Sequence, residues 1–323
     1  MGIYRAGAEY GAGAKLRRAL AIGGALAFTL GCSVLAQRSA EKPRGTHYSA
    51  ALIKRGRLII FPFDGNAVAV GLPQALIGNL FSAKSRQIYG FAATQTADAP
   101  AVVVATIKPP EISPIEASRG LNYARSVATD ADGGILAVSA VYQHAGVQEC
   151  GLFELDVSRG SVQHILNNPR GGCFDFVSCW NQLSLSPDGE RVVGTAGSGQ
   201  LAVINLRERR LEKTWPGAAA WWSPDGKWIA TLTSETPSKI DLFRASDLSM
   251  HRMLGRDTSG RLQWSPDSRY LLLLDKGFCG IGSGYFGTLQ VLDIATAQRR
   301  TIDSSRCKVN LAGTGWVSDD VFK

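Results

Sequence analysis

The sequence predicts an all-β protein: a six-bladed β-propeller with a composite closing blade formed by both termini, preceded by an N-terminal signal or anchor helix. Three observations lead there. A Ser-Pro-Asp turn recurs between apolar segments, a second series of strand-like runs repeats out of phase with it, and 36 Gly stand against 3 Met in 323 residues. The balance of 45% hydrophobic and 19% charged residues is globular and far from disorder.

The chain opens with the basic cluster Lys15-Leu-Arg17-Arg18, then the uncharged run over residues 19–36 that ends in Val34-Leu35-Ala36. Basic, apolar and small-residue segments in that order read as a secretory signal. Eighteen residues also reach the lower edge of a bilayer span, so an uncleaved anchor is the second reading. Lipidation at Cys32 is a third, though Thr29-Leu30-Gly31 lacks the usual Leu three residues before the Cys. All three place the remainder in an exported compartment, periplasmic or extracellular, or tethered to the membrane by this segment alone. The domain expectation is residues 1–36 signal or anchor, 37–56 linker and 57–323 propeller.

The net charge of +8 divides into +3 over residues 1–36 and +5 over the other 287, with no Lys/Arg block. That distribution is not a nucleic-acid footprint.

The clearest repeat is LSLSPDGERVVGTAG from Leu183, WWSPDGKWIATLTS from Trp221 and LQWSPDSRYLLLLDK from Leu262. Pro presets the turn, Asp bonds its own main chain and Gly supplies positive φ. Weaker copies start at Leu80, Ser126 and Gly315. The anchors Ser82, Thr129, Ser186, Ser223, Ser265 and Ser318 are 47, 57, 37, 42 and 53 residues apart. Strand-like runs at 58–63, 102–107, 152–157, 201–206, 240–243 and 289–294 end 44, 50, 49, 37 and 51 residues apart. Both periods match four-stranded propeller blades of about 40–50 residues. Each blade then reads as strands a and b around the turn, an apolar c and a polar outer d. Because a c-type run precedes the first anchor and the last anchor lies near the C-terminus, strand a near Trp316 must join c and d from residues 57–75. Strand b of that blade is either 321–323 or 49–54.

The Ser-Pro-Asp-Gly-x-x-(Ile/Val)-Ala unit resembles the repeat of TolB-like propellers, a WD-like repeat also found in the propellers of prolyl-oligopeptidase-like peptidases. The resemblance spans residues 57–323 and is carried by three repeats, since Ser82, Thr129 and Ser318 lack the Pro. It implies a propeller without the N-terminal α/β domain of TolB, for which about 20 residues between Ala36 and the first strand leave no room.

In such a blade the b–c and d–a connections share one face, and they are the longer ones here. Cys150, Cys173, Cys179, Cys279 and Cys307 all fall in them, and export makes disulfides the expected state. Cys279–Cys307 is one expected pair, and Cys150 with Cys173 or Cys179 the other. A bridge closing 28 residues contributes roughly 3–4 kcal/mol on the chain-entropy model. The same loops carry Phe174, Phe176, Trp180, Phe278, Tyr285 and Phe286, which present large area with few rotors for a protein or ligand contact. Packing beneath their own loops is the competing reading.

No catalytic, metal or cofactor residues are expected. There is no CxxC, the four His are scattered, no G-x-S-x-G elbow occurs, and Gly277–Gly287 lacks the Lys of a phosphate loop. Asp188, Asp225 and Asp267 repeat at one turn position, which favours turn capping over catalysis. Trp222 and Trp264 likewise repeat, which favours packing between blades. The expected function is a non-catalytic extracytoplasmic scaffold binding an envelope protein, peptide or glycan at the loop-rich face. The alternative is a propeller hydrolase or lyase with a site in the central channel.

Overall fold

The computed structural model describes residues 48–318 except 55–56, 62–67, 72–76, 82–86, 92–98, 107–110, 145, 172–178, 198, 236, 258–261, 279–284 and 306–310. Alternating apolar residues and repeated turns leave little choice but antiparallel sheet. Blade A holds β4 (Ile77–Phe81), β5 (Gln87–Phe91), β6 (Val102–Thr106) and β7 (Ile112–Pro114). Blade B holds β8 (Leu121–Thr129), β9 (Ile135–His144), β10 (Val147–Asp156) and β11 (Ser161–Asn167). Blade C holds β12 (Trp180–Leu185), β13 (Arg191–Ala196), β14 (Gln200–Asn205) and β15 (Arg210–Pro216). Blade D holds β16 (Ala219–Trp222), β17 (Trp228–Leu232), β18 (Ser238–Arg244) and β19 (Met250–Asp257). Blade E holds β20 (Leu262–Trp264), β21 (Tyr270–Phe278), β22 (Tyr285–Asp293) and β23 (Arg299–Ser305).

This topology corrects the expected count. Five blades, not six, are runs of four consecutive strands. The remaining sheet joins the two ends of the described chain in the order β24 (Leu311–Ser318), β1 (Tyr48–Lys54), β2 (Arg57–Phe61), β3 (Val68–Gly71). Its first two strands are held by pairing alone, Ala50 opposite Trp316 and Ser49 opposite Val317, where every blade has a covalent turn. Strand β1 also falls within the stretch read as linker, and it settles the open choice for the second strand in favour of 49–54. The expected N-terminal helix lies outside the described residues. Among those described, the helical element is the single 3-10 turn Glu116–Ser118, and no helix is long and apolar enough to cross a membrane.

The core lies between sheets rather than within them. Tyr89, Phe91 and Val102 of blade A pack on Leu121, Leu136 and Phe153 of blade B. Ala128, Ala137 and Leu152 of blade B meet Trp180, Leu185 and Ile204 of blade C. Val193, Leu201 and Val203 of blade C meet Trp222 and Ile229 of blade D. Leu232, Ile240 and Leu242 of blade D meet Trp264, Leu271 and Leu292 of blade E. Tyr270, Leu272 and Val291 of blade E meet Ala50 and Trp316 of the end sheet. Trp222, Trp264 and Trp316 are thus wedges between neighbours, the role their repeat position predicts.

Inner strands touch in the circuit β4, β8, β12, β16, β20, β24 and back to β4. Hydrogen bonds between them follow the same path. Leu183 N–H donates to Ser126 Oγ (2.9 Å), Trp222 N–H to Ser184 Oγ (2.9 Å), Trp264 Nε1–H to the Trp221 carbonyl (3.0 Å) and Trp316 Nε1–H to the Gln263 carbonyl (3.2 Å). From blade B round to the end sheet, each sheet is therefore tied to the next by direction as well as by burial.

The Ser-Pro-Asp turns are built identically. Ser186, Ser223 and Ser265 donate their hydroxyls to Asp188, Asp225 and Asp267 at 2.5, 2.6 and 2.6 Å. The same carboxylate oxygens accept the Glu190, Lys227 and Arg269 amides at 3.0, 3.1 and 3.0 Å. Those aspartates are turn caps. In the weaker copy of blade B, Gly133 sits at φ +76 under the Tyr89 hydroxyl of blade A, where any Cβ would collide.

Candidate functional site: the mouth of the ring at the loop-rich face

Strands β8 and β12 enter the ring from the d–a connections, so their first residues border its mouth on the loop-rich face. Both are bulged there. The register slips between Asn122 and Ser126 in β8 and between Asn181 and Ser184 in β12. The slips leave two non-Gly residues with left-handed backbone, Tyr123 at φ 50 and Gln182 at φ 49. Such a conformation costs on the order of 1 kcal/mol or more for a side chain, and bulges re-aim what they carry. Tyr123 is 58% exposed, and Gln182 and Arg125 are exposed beside it on adjacent inner strands. Val147, at the start of β10 on the same face, is 60% exposed.

Beneath the mouth the structure is firmly held. The Asn168 amide N–H donates to the Cys150 carbonyl (3.2 Å), and Asn168 Nδ2 points at the buried Cys179 Sγ (3.9 Å). Asn181 Nδ2 donates to the Cys179 carbonyl (3.0 Å). Cys150 and Cys179 therefore both border Asn168, at the joint between blades B and C.

The aromatic residues singled out from sequence divide. Trp180 is 4% exposed within the core between blades B and C and donates Nε1–H to the Asn167 carbonyl (3.1 Å), so it packs rather than presents. Phe278 and Tyr285 are register partners of the β21–β22 pair, with Phe286 next in β22. Phe174, Phe176, Cys173, Cys279 and Cys307 lie outside the described residues. Tyr123, Arg125, Gln182 and Val147 are additions from the structure. The signal for two of them is the Asn that precedes each bulge, Asn122-Tyr123 and Asn181-Gln182, in otherwise alternating strands.

At the opposite end of the ring a cavity of about 70 Å³ opens among the inner strands of blades B to E. Leu185, Pro187, Trp221, Trp222, Pro224 and Trp264 form much of its wall, with Ser184, Ser223, Thr129 and Gln263 as its polar members. No lining residue is ionisable. Among the described residues no group of three or more His, Cys, Asp or Glu is placed to hold a metal ion.

No protein-family model matches the chain, and no curated protein matches it. Solved structures do. TolB from Acinetobacter baumannii is similar with TM-score 0.58 and 16% identity, over 84% of this chain and 66% of that one, slightly under two thirds of its length. The putative TolB from Agrobacterium tumefaciens is similar with TM-score 0.55 and 14% identity, over 81% and 91%. A putative 6-phosphogluconolactonase from Bacteroides fragilis is similar with TM-score 0.50 and 12% identity, over 86% and 100%. At these identities the likeness is one of fold.

Proposed function

We propose that this TolB-like β-propeller is a non-catalytic, extracytoplasmic binding module that takes an envelope protein, peptide or glycan at its loop-rich face. The observation that carries the reading is the pair Tyr123 and Gln182, exposed side chains on adjacent bulged strands at the mouth of the ring. Strained backbone persists where surrounding structure over-determines it, which is typical of binding and switch sites. An exposed Tyr offers a large, stiff contact with a polar tip.

Export rests on the basic-then-apolar N-terminal segment and on cysteine use. The expected bridges stay part of this reading: Cys279 with Cys307, and Cys150 with Cys173 or Cys179, the last of which lies buried beside Asn168. These bridges would pin the loop carrying Phe174 and Phe176 and the strand ends carrying Phe278, Tyr285 and Phe286.

The test is capture. The purified chain, immobilised, is exposed to an envelope extract and bound proteins are identified by mass spectrometry. Tyr123→Ala, and separately Phe176→Ala with Phe278→Ala, should reduce capture of a given partner about tenfold at unchanged thermal midpoint. Undiminished capture by both variants removes this face from the account.

The enzymatic alternative has one observation in its favour, the cavity in the ring. Its walls offer hydroxyls and an amide but no group able to trade protons near neutral pH. Turnover of lactone, glycoside or peptide substrates by purified protein would overturn the binding reading.

A further inference from the structure

The cavity at the far end of the ring holds polar groups with hydrogen-bonding capacity to spare. Two of its four polar side chains are fully engaged. Ser223 donates its hydroxyl to Asp225 (2.6 Å) and accepts the Trp228 N–H (2.9 Å), and Thr129 donates to the Asp130 carbonyl (3.1 Å). The other two are not. Ser184 Oγ accepts the Trp222 N–H (2.9 Å), which leaves its own proton without an acceptor among the described residues. The side-chain amide of Gln263 has no partner there, and neither has the indole N–H of Trp221, which also lines the cavity. Ser184, Trp221 and Gln263 are all half-buried.

The main chain that carries these groups is already anchored. The Trp221 carbonyl accepts Trp264 Nε1–H (3.0 Å), and the Gln263 carbonyl accepts Trp316 Nε1–H (3.2 Å). Side chains rooted in a fixed frame lose little further freedom when an occupant arrives.

We propose that this cavity binds one neutral sugar ring, with Ser184 and Gln263 hydrogen-bonding its hydroxyls and Trp221 beside it. Charge is the first criterion. No lining residue is ionisable, so a uronate, a phosphate or a zwitterion would leave water without a counter-charge. An apolar occupant fails for the opposite reason, since it would strip water from Ser184 and Gln263 and return no hydrogen bond. Trp221, Pro187 and Pro224 supply ring faces, so the fitting ligand is apolar on its faces and polar around its edge. A pyranose has that form. Ser184 stands on blade C and Gln263 on blade E, with Trp221 of blade D between them, so polar groups reach an occupant from separate sides. Hydroxyls around a sugar ring meet that arrangement better than the hydrogen-bonding edge of a flat base. The volume of about 70 Å³ is room for roughly five waters, which suits a single sugar unit rather than a chain. This site is separate from the mouth at the loop-rich face, and the proposal stands without that reading.

The test is titration of the full chain with the methyl glycosides of glucose and galactose and with N-acetylglucosamine at millimolar concentration. Glucuronate, adenosine and the dipeptide glycyl-proline are titrated in parallel. Saturation-transfer NMR reads the ligand, and the indole N–H resonance of Trp221, assigned by its loss in Trp221→Phe, reads the protein. At least one neutral sugar should bind and shift that resonance, and Gln263→Ala should weaken it about tenfold. Gln263→Ala removes a side chain that holds no bond in the fold, and circular dichroism checks that it remains folded. Tyr123→Ala, at the other end of the ring, should leave sugar binding unchanged. Should Gln263→Ala fail to fold, the Trp221 resonance and the Tyr123→Ala result decide. No binding by any neutral sugar, equal binding of glucuronate, binding confined to adenosine or glycyl-proline, unchanged affinity in folded Gln263→Ala, or loss in Tyr123→Ala would overturn the proposal.

Discussion

The Trp222 backbone N–H on β16 donates to the Ser184 hydroxyl on β12, 2.9 Å away across the joint between blades C and D. Ser126 does the same for the Leu183 N–H between blades B and C. A side chain of one blade thereby satisfies the main chain of the next, at a point where the neighbouring side chains are apolar. Ser184→Ala would leave an amide without its acceptor, at a cost of about 1–3 kcal/mol. Urea denaturation should show a lower midpoint with an unchanged slope, and Ser184→Thr should restore part of it. A midpoint equal to that of the parent would mean that water replaces the serine.

Gly133 tests the contact between blades A and B. Its φ of +76 and the Tyr89 hydroxyl above it leave no space for a methyl group. Gly133→Ala should lower stability by about 1–3 kcal/mol through backbone strain together with displacement of Tyr89. Tyr89→Phe in the same background should recover some of the loss in a thermal melt, since it removes the colliding oxygen. No recovery would place the whole cost in the backbone.

Asp188 gives the fold a pH dependence. Burial raises its carboxyl, but the Ser186 hydroxyl, the Glu190 amide and Arg191 together outweigh burial and hold it below its ordinary value of 3.8. A carboxyl depressed in the folded state contributes stability above the unfolded value, and that contribution is lost as pH falls through the folded one. The urea midpoint of the parent should therefore drop more steeply below about pH 4 than that of Asp188→Asn. Parallel curves would show that the turn does not depend on this charge.

Asp241 should behave in the opposite sense. Burial raises its carboxyl, only partly offset by Lys239, and Oδ1 is buried without a hydrogen-bond partner among the described residues. A raised carboxyl favours the folded state while protonated and opposes it once ionised, so stability declines as pH rises through the folded value. Asp241→Asn should raise the urea midpoint at pH 7 and leave it nearly unchanged near pH 3. A lower midpoint at pH 7 would mean that the charge is compensated by a group not yet identified.

What the sequence could convey depended on repetition. The strands on either side of Ser186, Ser223 and Ser265 were legible because Pro, Asp and a positive-φ residue impose one turn, and those turns are superimposable in their hydrogen bonds. Trp222 and Trp264 were legible as wedges for the same reason. The count of blades was not, because a periodic anchor such as Ser318 marks a strand and not how a sheet is completed. Strand β1 carries no turn motif and read as linker. Tyr123 and Gln182 escaped notice because a bulge breaks the alternation that makes a strand readable.

The account rests on how the end sheet is put together, and backbone nuclear Overhauser contacts measure that directly. Cross-strand contacts between Tyr48–Lys54 and Leu311–Ser318 are predicted in the antiparallel register that sets Ala50 opposite Trp316 and Leu52 opposite Thr314. Contacts joining Leu311–Ser318 to a different strand, or none between these two segments, would contradict it.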